Sequence, residues 1–135
     1  MSKSAIYTVN NSAQNVAVNG VIDLGSIIRR FGPNLTLSGN AIQVCGPGYY
    51  DIDASITLAP TAVGNVTITV FNDNIAIPGA TATASVSTAN NPVNISIASL
   101  FREPCACCES LSNLTFVLTG TAAAVTNVAV VVEKI

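Results

Sequence analysis

The stretch Tyr50-Asp-Ile-Asp-Ala-Ser-Ile-Thr-Leu58 sets the fold class, because its apolar and polar residues alternate without a break. In an extended chain Tyr50, Ile52, Ala54, Ile56 and Leu58 fall on one side, and Asp51, Asp53, Ser55 and Thr57 on the other. A two-residue period is that of a strand with one face in a core and one in water. The period returns in Val66, Ile68 and Val70 against Thr67 and Thr69, then in Val93, Ile95 and Ile97, and again in Leu114, Phe116 and Leu118. No segment sustains an i, i+3, i+4, i+7 apolar stripe over three turns, so an all-β chain is predicted.

Turn signals separate these segments: Phe31-Gly-Pro33, Ser38-Gly-Asn40, Cys45-Gly-Pro-Gly48, Asn72-Asp-Asn74, Pro78-Gly79, Asn90-Asn-Pro92 and Thr119-Gly-Thr121. Breaks at roughly 8- to 12-residue intervals point to a sandwich or barrel of about ten short antiparallel strands. Strands are predicted over 4–9, 15–24, 34–38, 41–45, 49–58, 65–72, 75–77, 81–88, 93–101, 112–119 and 124–134. Residues 23–31 are expected to hold a helical turn or an irregular crossover, since Leu24, Ile27, Ile28 and Phe31 share helical spacing. In the tract from Ala80 to Ala89, Thr81, Thr83, Ser85 and Ser87 alternate with small apolar residues, as in a strand facing a crowded neighbour. One jelly-roll domain is expected over 15–135, with 1–14 as its first strand and attachment segment.

The run Val128-Ala-Val-Val-Val132 leaves no solvent face. Such a run needs apolar cover on both sides. One side fits the core of a sandwich; the other is either packed against another copy of the chain or sealed by the chain's own loops, and the first is the working expectation.

Composition narrows the function. The 135 residues suit one domain; half are hydrophobic, only 9% are charged, and there is no histidine or tryptophan. So few titratable groups argue against an enzyme, because acid, base and nucleophile activation all require them. The formal net charge is −2, and the five cations include only one adjacent pair, Arg29-Arg30, so the basic footprint of a nucleic-acid binder is missing. No apolar stretch approaches the roughly 20 residues of a membrane helix, and no secretory signal pattern is seen, so no membrane association and synthesis in the bacterial cytoplasm are expected.

Pro47-Gly-Tyr-Tyr-Asp-Ile52, Thr69-Val-Phe-Asn-Asp-Asn-Ile-Ala-Ile-Pro-Gly-Ala80 and the final segment Asn127 to Lys134, in that order and spacing, resemble the jelly roll of the tumour necrosis factor and complement globular-head superfamily. The likeness runs over about residues 15–135 and is nearest to bacterial and bacteriophage versions, among them heads of collagen-like spore-surface glycoproteins and small virion proteins. It implies a homotrimer with the C-terminal strand near a three-fold axis, whose interface is expected to hold Val128, Val130 and Val132 with Tyr49 and Phe71. No Gly-X-Y stalk, signal or anchor is present, so a receptor-signalling role is not carried over.

Cys105-Ala-Cys107-Cys108 with Cys45 is the one cluster able to carry chemistry. Free or partly oxidised loop thiols, a disulfide within or between chains, and a metal site all remain open, the metal weakened because adjacent Cys107 and Cys108 do not easily turn to one tetrahedral centre. Asp51 and Asp53, about 7 Å apart on one strand face, have the spacing of paired catalytic carboxylates but no supporting group, and read as solvent-facing or subunit-bridging. Asp73 in the Asn72-Asp-Asn74 turn suits a capped hairpin as well as a calcium site. No cofactor or resident metal is expected. The expectation is a non-enzymatic trimeric knob that decorates a larger particle, a bacteriophage capsid or fibre, and so resides in the virion. The alternatives are a spore-surface structural protein and a module binding a cell-surface glycan or host molecule through loops at one tip, with Asp73, Asn74, Asn91, Arg102 and Glu103 as candidate ligand residues.

Overall fold

A computed structural model describes residues 4–103 and 112–135. Its eleven strands are β1 (Ala5–Asn10), β2 (Gln14–Val16), β3 (Ser26–Phe31), β4 (Leu35–Ser38), β5 (Ala41–Val44), β6 (Gly48–Pro60), β7 (Gly64–Asn72), β8 (Ile75–Val86), β9 (Val93–Glu103), β10 (Ser112–Thr119) and β11 (Ala123–Lys134). They form two antiparallel sheets. The first has the order β3-β1-β11-β6-β9, with β2 also on β11, and the second β4-β5-β10-β7-β8. Beyond the β4–β5 and β7–β8 hairpins, the chain changes sheet at every connection from β3 onward, which is the crossing pattern of a jelly-roll sandwich.

Alternation fixes which side of each strand faces inward. On β6, Tyr50, Ile52, Ala54, Ile56 and Leu58 are buried, while the residues between them are partly or fully exposed. Val66, Ile68 and Val70 on β7 and Leu114, Phe116 and Leu118 on β10 close the core from the opposite sheet. Tyr50 is wholly buried, packs at 6.3 Å between ring centroids against Phe101, and donates its hydroxyl to Gly46 O at 2.9 Å. The β7–β8 hairpin turns on Asp73 and Asn74, both at positive φ (49° and 69°), a left-handed pair whose twist matches that of the strands it joins.

Three predicted elements differ. The strand expected over 15–24 ends at Val16, because Asn19 turns at φ 67° and Gly20 N bonds back to Ala17 O. The chain thereby leaves the first sheet and lies along β10, through Asn19 N to Leu118 O, Leu118 N to Gly20 O and Ile22 N to Phe116 O. In place of a helical turn, residues 26–31 form β3, since the edge of β1 supplies hydrogen-bond partners; Leu24 alone of the four helically spaced residues is buried. The segments 75–77 and 81–88 are one bent strand. Thr69 pairs with Thr81 and Phe71 with Ala76, so Ile77–Ala80 bulges opposite Val70, where Gly79 adopts φ 81°.

β1, the first strand expected within residues 1–14, lies between β3 and β11, and Ser4 before it is buried.

Candidate functional site

The sandwich offers two outer sheet faces and two ends, and the expected site residues divide among them. Val128, Val130 and Val132 are fully buried within the single chain, in register with Ile56, Ala54 and Ile52 on the core side of the first sheet. They cannot form an intersubunit surface. The residues of β11 that alternate with these three and face outward are Asn127, Ala129, Val131 and Glu133. Tyr49 is half exposed on the outer face of the first sheet beside Arg102, whereas Phe71, paired with Thr115, is partly covered on the outer face of the second. The whole thickness of the sandwich separates these two aromatic residues.

The outer face of the first sheet is built in rows. Tyr7, Val131, Asp53 and Ala98 lie across β1, β11, β6 and β9; Val9, Ala129, Ser55 and Ser96 form the next row, and Ala5, Glu133, Asp51 and Leu100 flank them on the other side. Because Ala98, Ala129, Ser55 and Ser96 are small, the face sinks into a shallow groove of about 340 Å³ bounded by Asp53 and Val131. Asp51 and Asp53 therefore belong to a sheet face and not to a catalytic cleft. The outer face of the second sheet is different in kind: Thr67 and Thr83 hydroxyls meet at 2.8 Å, Thr69 and Thr81 at 2.9 Å, and Ser85 donates to Asn65 at 2.5 Å. These hydroxyls satisfy one another, which leaves a polar, uncharged surface.

One end of the sandwich gathers several of the expected loop residues. The Asn72–Asn74 turn stands beside the end of β9, where Asn72, Ile75, Ala76, Ile77, Pro78, Leu100, Phe101 and Arg102 line a cleft of about 290 Å³. Asp73 spends its carboxylate locally: Oδ1 accepts from Asn113 N at 2.9 Å and from Asn113 Nδ2 at 3.4 Å, which braces the hairpin. Glu103 points inward, is buried, and accepts the Ser112 hydroxyl, so it is not an exposed ligand residue. Burial, with the Glu103 carboxylate nearby, pushes the Tyr50 hydroxyl above its ordinary pKa. Asn91 lies at the opposite end, next to Asn90, whose N–H bonds Pro60 O; nine residues of extended β9 place it about 30 Å from Arg102. A single tip carrying all five residues is therefore ruled out by the strand lengths.

Cys45, partly buried after β5, is disulfide-bonded, while Cys105, Cys107 and Cys108 lie outside the described residues. Among the described residues no group of three or more His, Cys, Asp or Glu is placed to hold a metal ion, and no helix is long and apolar enough to cross a membrane. Leu100 and Ile75 were not singled out from the sequence, and Ala129 and Val131 entered only as members of the run Val128–Val132. One of them could have been: with Ile95, Ile97 and Phe101 inward, the strand period forces Leu100 outward.

No protein-family model and no curated protein sequence matches the chain. Solved structures do. The tumour necrosis factor Eiger from S. frugiperda superposes with a TM-score of 0.71 at 11% identity, covering 98% of this chain and 91% of that one. PRD1 vertex protein P5 gives a TM-score of 0.67 at 20% identity, covering 98% and 96%, and the globular domain of zebrafish complement 1qA gives 0.62 at 6%, covering 97% and 94%.

Proposed function

We propose, from the premise that this chain has the jelly roll of tumour necrosis factors and complement heads, that it is a non-enzymatic structural subunit: a homotrimeric knob on the surface of a larger particle, a bacteriophage virion. The observation that carries the reading is the outer face of the first sheet. Its centre is Tyr7, Val9, Ala129, Val131 and Ala98 around a groove of small residues, a largely apolar patch whose carboxylates are Asp53 at the groove and Asp51 and Glu133 along one flank. A second copy is the occupant that matches it, and a contact between two different patches closes into a three-membered ring when the rotation between copies is one third of a turn. The particle comes from the likeness to a vertex protein over nearly the full length of both chains. Few titratable groups and a hydroxyl-paired second face agree with a passive, durable surface component.

The test is the mass of the purified chain by light scattering, followed by its location in particles. A mass near three times 13.8 kDa, and antibody labelling of virions, are the expected results. A mass of 13.8 kDa would remove the knob.

A further inference from the structure

Among the described strands β3 alone has no buried residue, although half of it is apolar: Ile27, Ile28 and Phe31 are 39%, 53% and 60% exposed. It is the edge of the first sheet and pairs only with β1. An apolar edge strand open to water on both faces is a template for contact with another chain. Its two arginines differ. Arg30, registered with the buried Ile6, turns to the core side and donates to Leu35 O. Arg29 and Phe31, registered with Tyr7 and Ala5, extend two rows of the outer face.

Charge divides that face. The five strands of the second sheet carry no charged residue, so every strand charge belongs to the first sheet. On the outer face Arg29 stands at the β3 edge, while Asp51, Asp53 and Glu133 occupy the middle strands β6 and β11. Asp51 and Glu133 lie directly opposite one another, which is destabilising for like charges. Arg102 on β9 is a diagonal neighbour of Asp51, whereas β1 separates Arg29 from every carboxylate of the face. None of the side chains of Arg29, Asp51, Asp53 and Glu133 makes an ion pair or hydrogen bond with the described residues.

We propose that β3 is the second patch of the contact between copies: β3 of one copy lies on the centre of the first-sheet face of the next. The Arg29 guanidinium enters between Asp51 and Glu133 of that next copy, and Phe31 covers its Val131. The spacing agrees. Arg29 and Phe31 are two residues apart on one strand face, a step of about 7 Å, and the same step separates Glu133 from Val131. Charge also excludes the simpler pairings, because face on face would set carboxylates against carboxylates and β3 on β3 would set arginine against arginine. The two patches differ, as a closed ring of three requires. This contact presupposes the homotrimeric knob and supplies its second surface.

The test is light scattering of the purified full chain over a range of concentrations, with circular dichroism to show that each variant is folded. Arg29→Glu and Phe31→Asp should each raise the concentration of half-dissociation roughly tenfold or more, the effect of losing one desolvated charge pair or one buried aromatic ring. Adding Glu133→Lys to Arg29→Glu should recover most of that loss, and salt should weaken the wild-type assembly, as screened charge pairs do. Wild-type mass for both Arg29→Glu and Phe31→Asp would overturn the contact and leave the knob standing, with β3 free for a protein of the particle. Dissociation by Arg102→Glu but not by Arg29→Glu would overturn it in favour of the β9 edge. A single-chain mass for the wild type would remove the knob and this contact together.

Discussion

Thr8 is wholly buried on β1, and its hydroxyl has no hydrogen-bond partner. A buried hydroxyl left unpaired is destabilising by about 1–3 kcal/mol, and valine has nearly its shape without the polar atom. Thr8→Val is therefore expected to raise stability by about 1 kcal/mol, read as a higher midpoint in urea denaturation. Tyr50 is the opposite case, because its hydroxyl is paired with Gly46 O and it is held above its ordinary pKa by burial first and by Glu103 second. The sign follows from the unfolded chain ionising first. Tyr50 contributes its full stability below pH 10, its unfolded value, and loses it as pH rises from there through the folded pKa. In Tyr50→Phe, chemical denaturation between pH 9 and 11 should lose this part of the alkaline decline, at the cost of about 1 kcal/mol near neutral pH from the missing hydrogen bond.

Among the elements, the β7–β8 hairpin has the clearest local cause. Asp73 holds a positive φ and also accepts the Asn113 backbone N–H, tying the turn to the start of β10. Asp73→Ala removes the bond and leaves alanine in a left-handed conformation, an expected loss of about 2 kcal/mol in urea denaturation. Asn113→Ala, which keeps the backbone N–H, should cost much less. Element types were legible wherever alternation was strong, as in β6, β7, β10 and β11. They were not legible over 15–31. There, apolar spacing gave one message, while partners distant in sequence decided the outcome: β10 took residues 19–22, and the edge of β1 took residues 26–31.

For the whole molecule, the outer face of the first sheet is the surface on which the proposed assembly would depend. Ala129 lies in the floor of its groove, partly exposed, so Ala129→Arg places a bulky charge on that face without entering the core. Light scattering should show the mass of a single chain for this variant and an unchanged mass for Thr83→Arg on the opposite face. Retention of the wild-type mass by Ala129→Arg would remove this face from the interface. Within the run that first suggested an interface, Val128, Val130 and Val132 belong to the core, and Ala129 and Val131 are what remain outside.

The sequence by itself determined the all-β class, the inward side of the regular strands and the hairpin at Asp73-Asn74, because strand period and turn chemistry act over a few residues. It also carried the order of motifs that resembles the jelly-roll superfamily. Only the tertiary structure decided that Val128, Val130 and Val132 face a core and not a partner, that Asn91 and Arg102 lie at opposite ends, and that Ile75 and Leu100 from different sheets share one cleft with Asn72. Those relations depend on which sheet each strand joins and in what register. Strand pairing between distant residues sets both, and no local pattern of side chains encodes it.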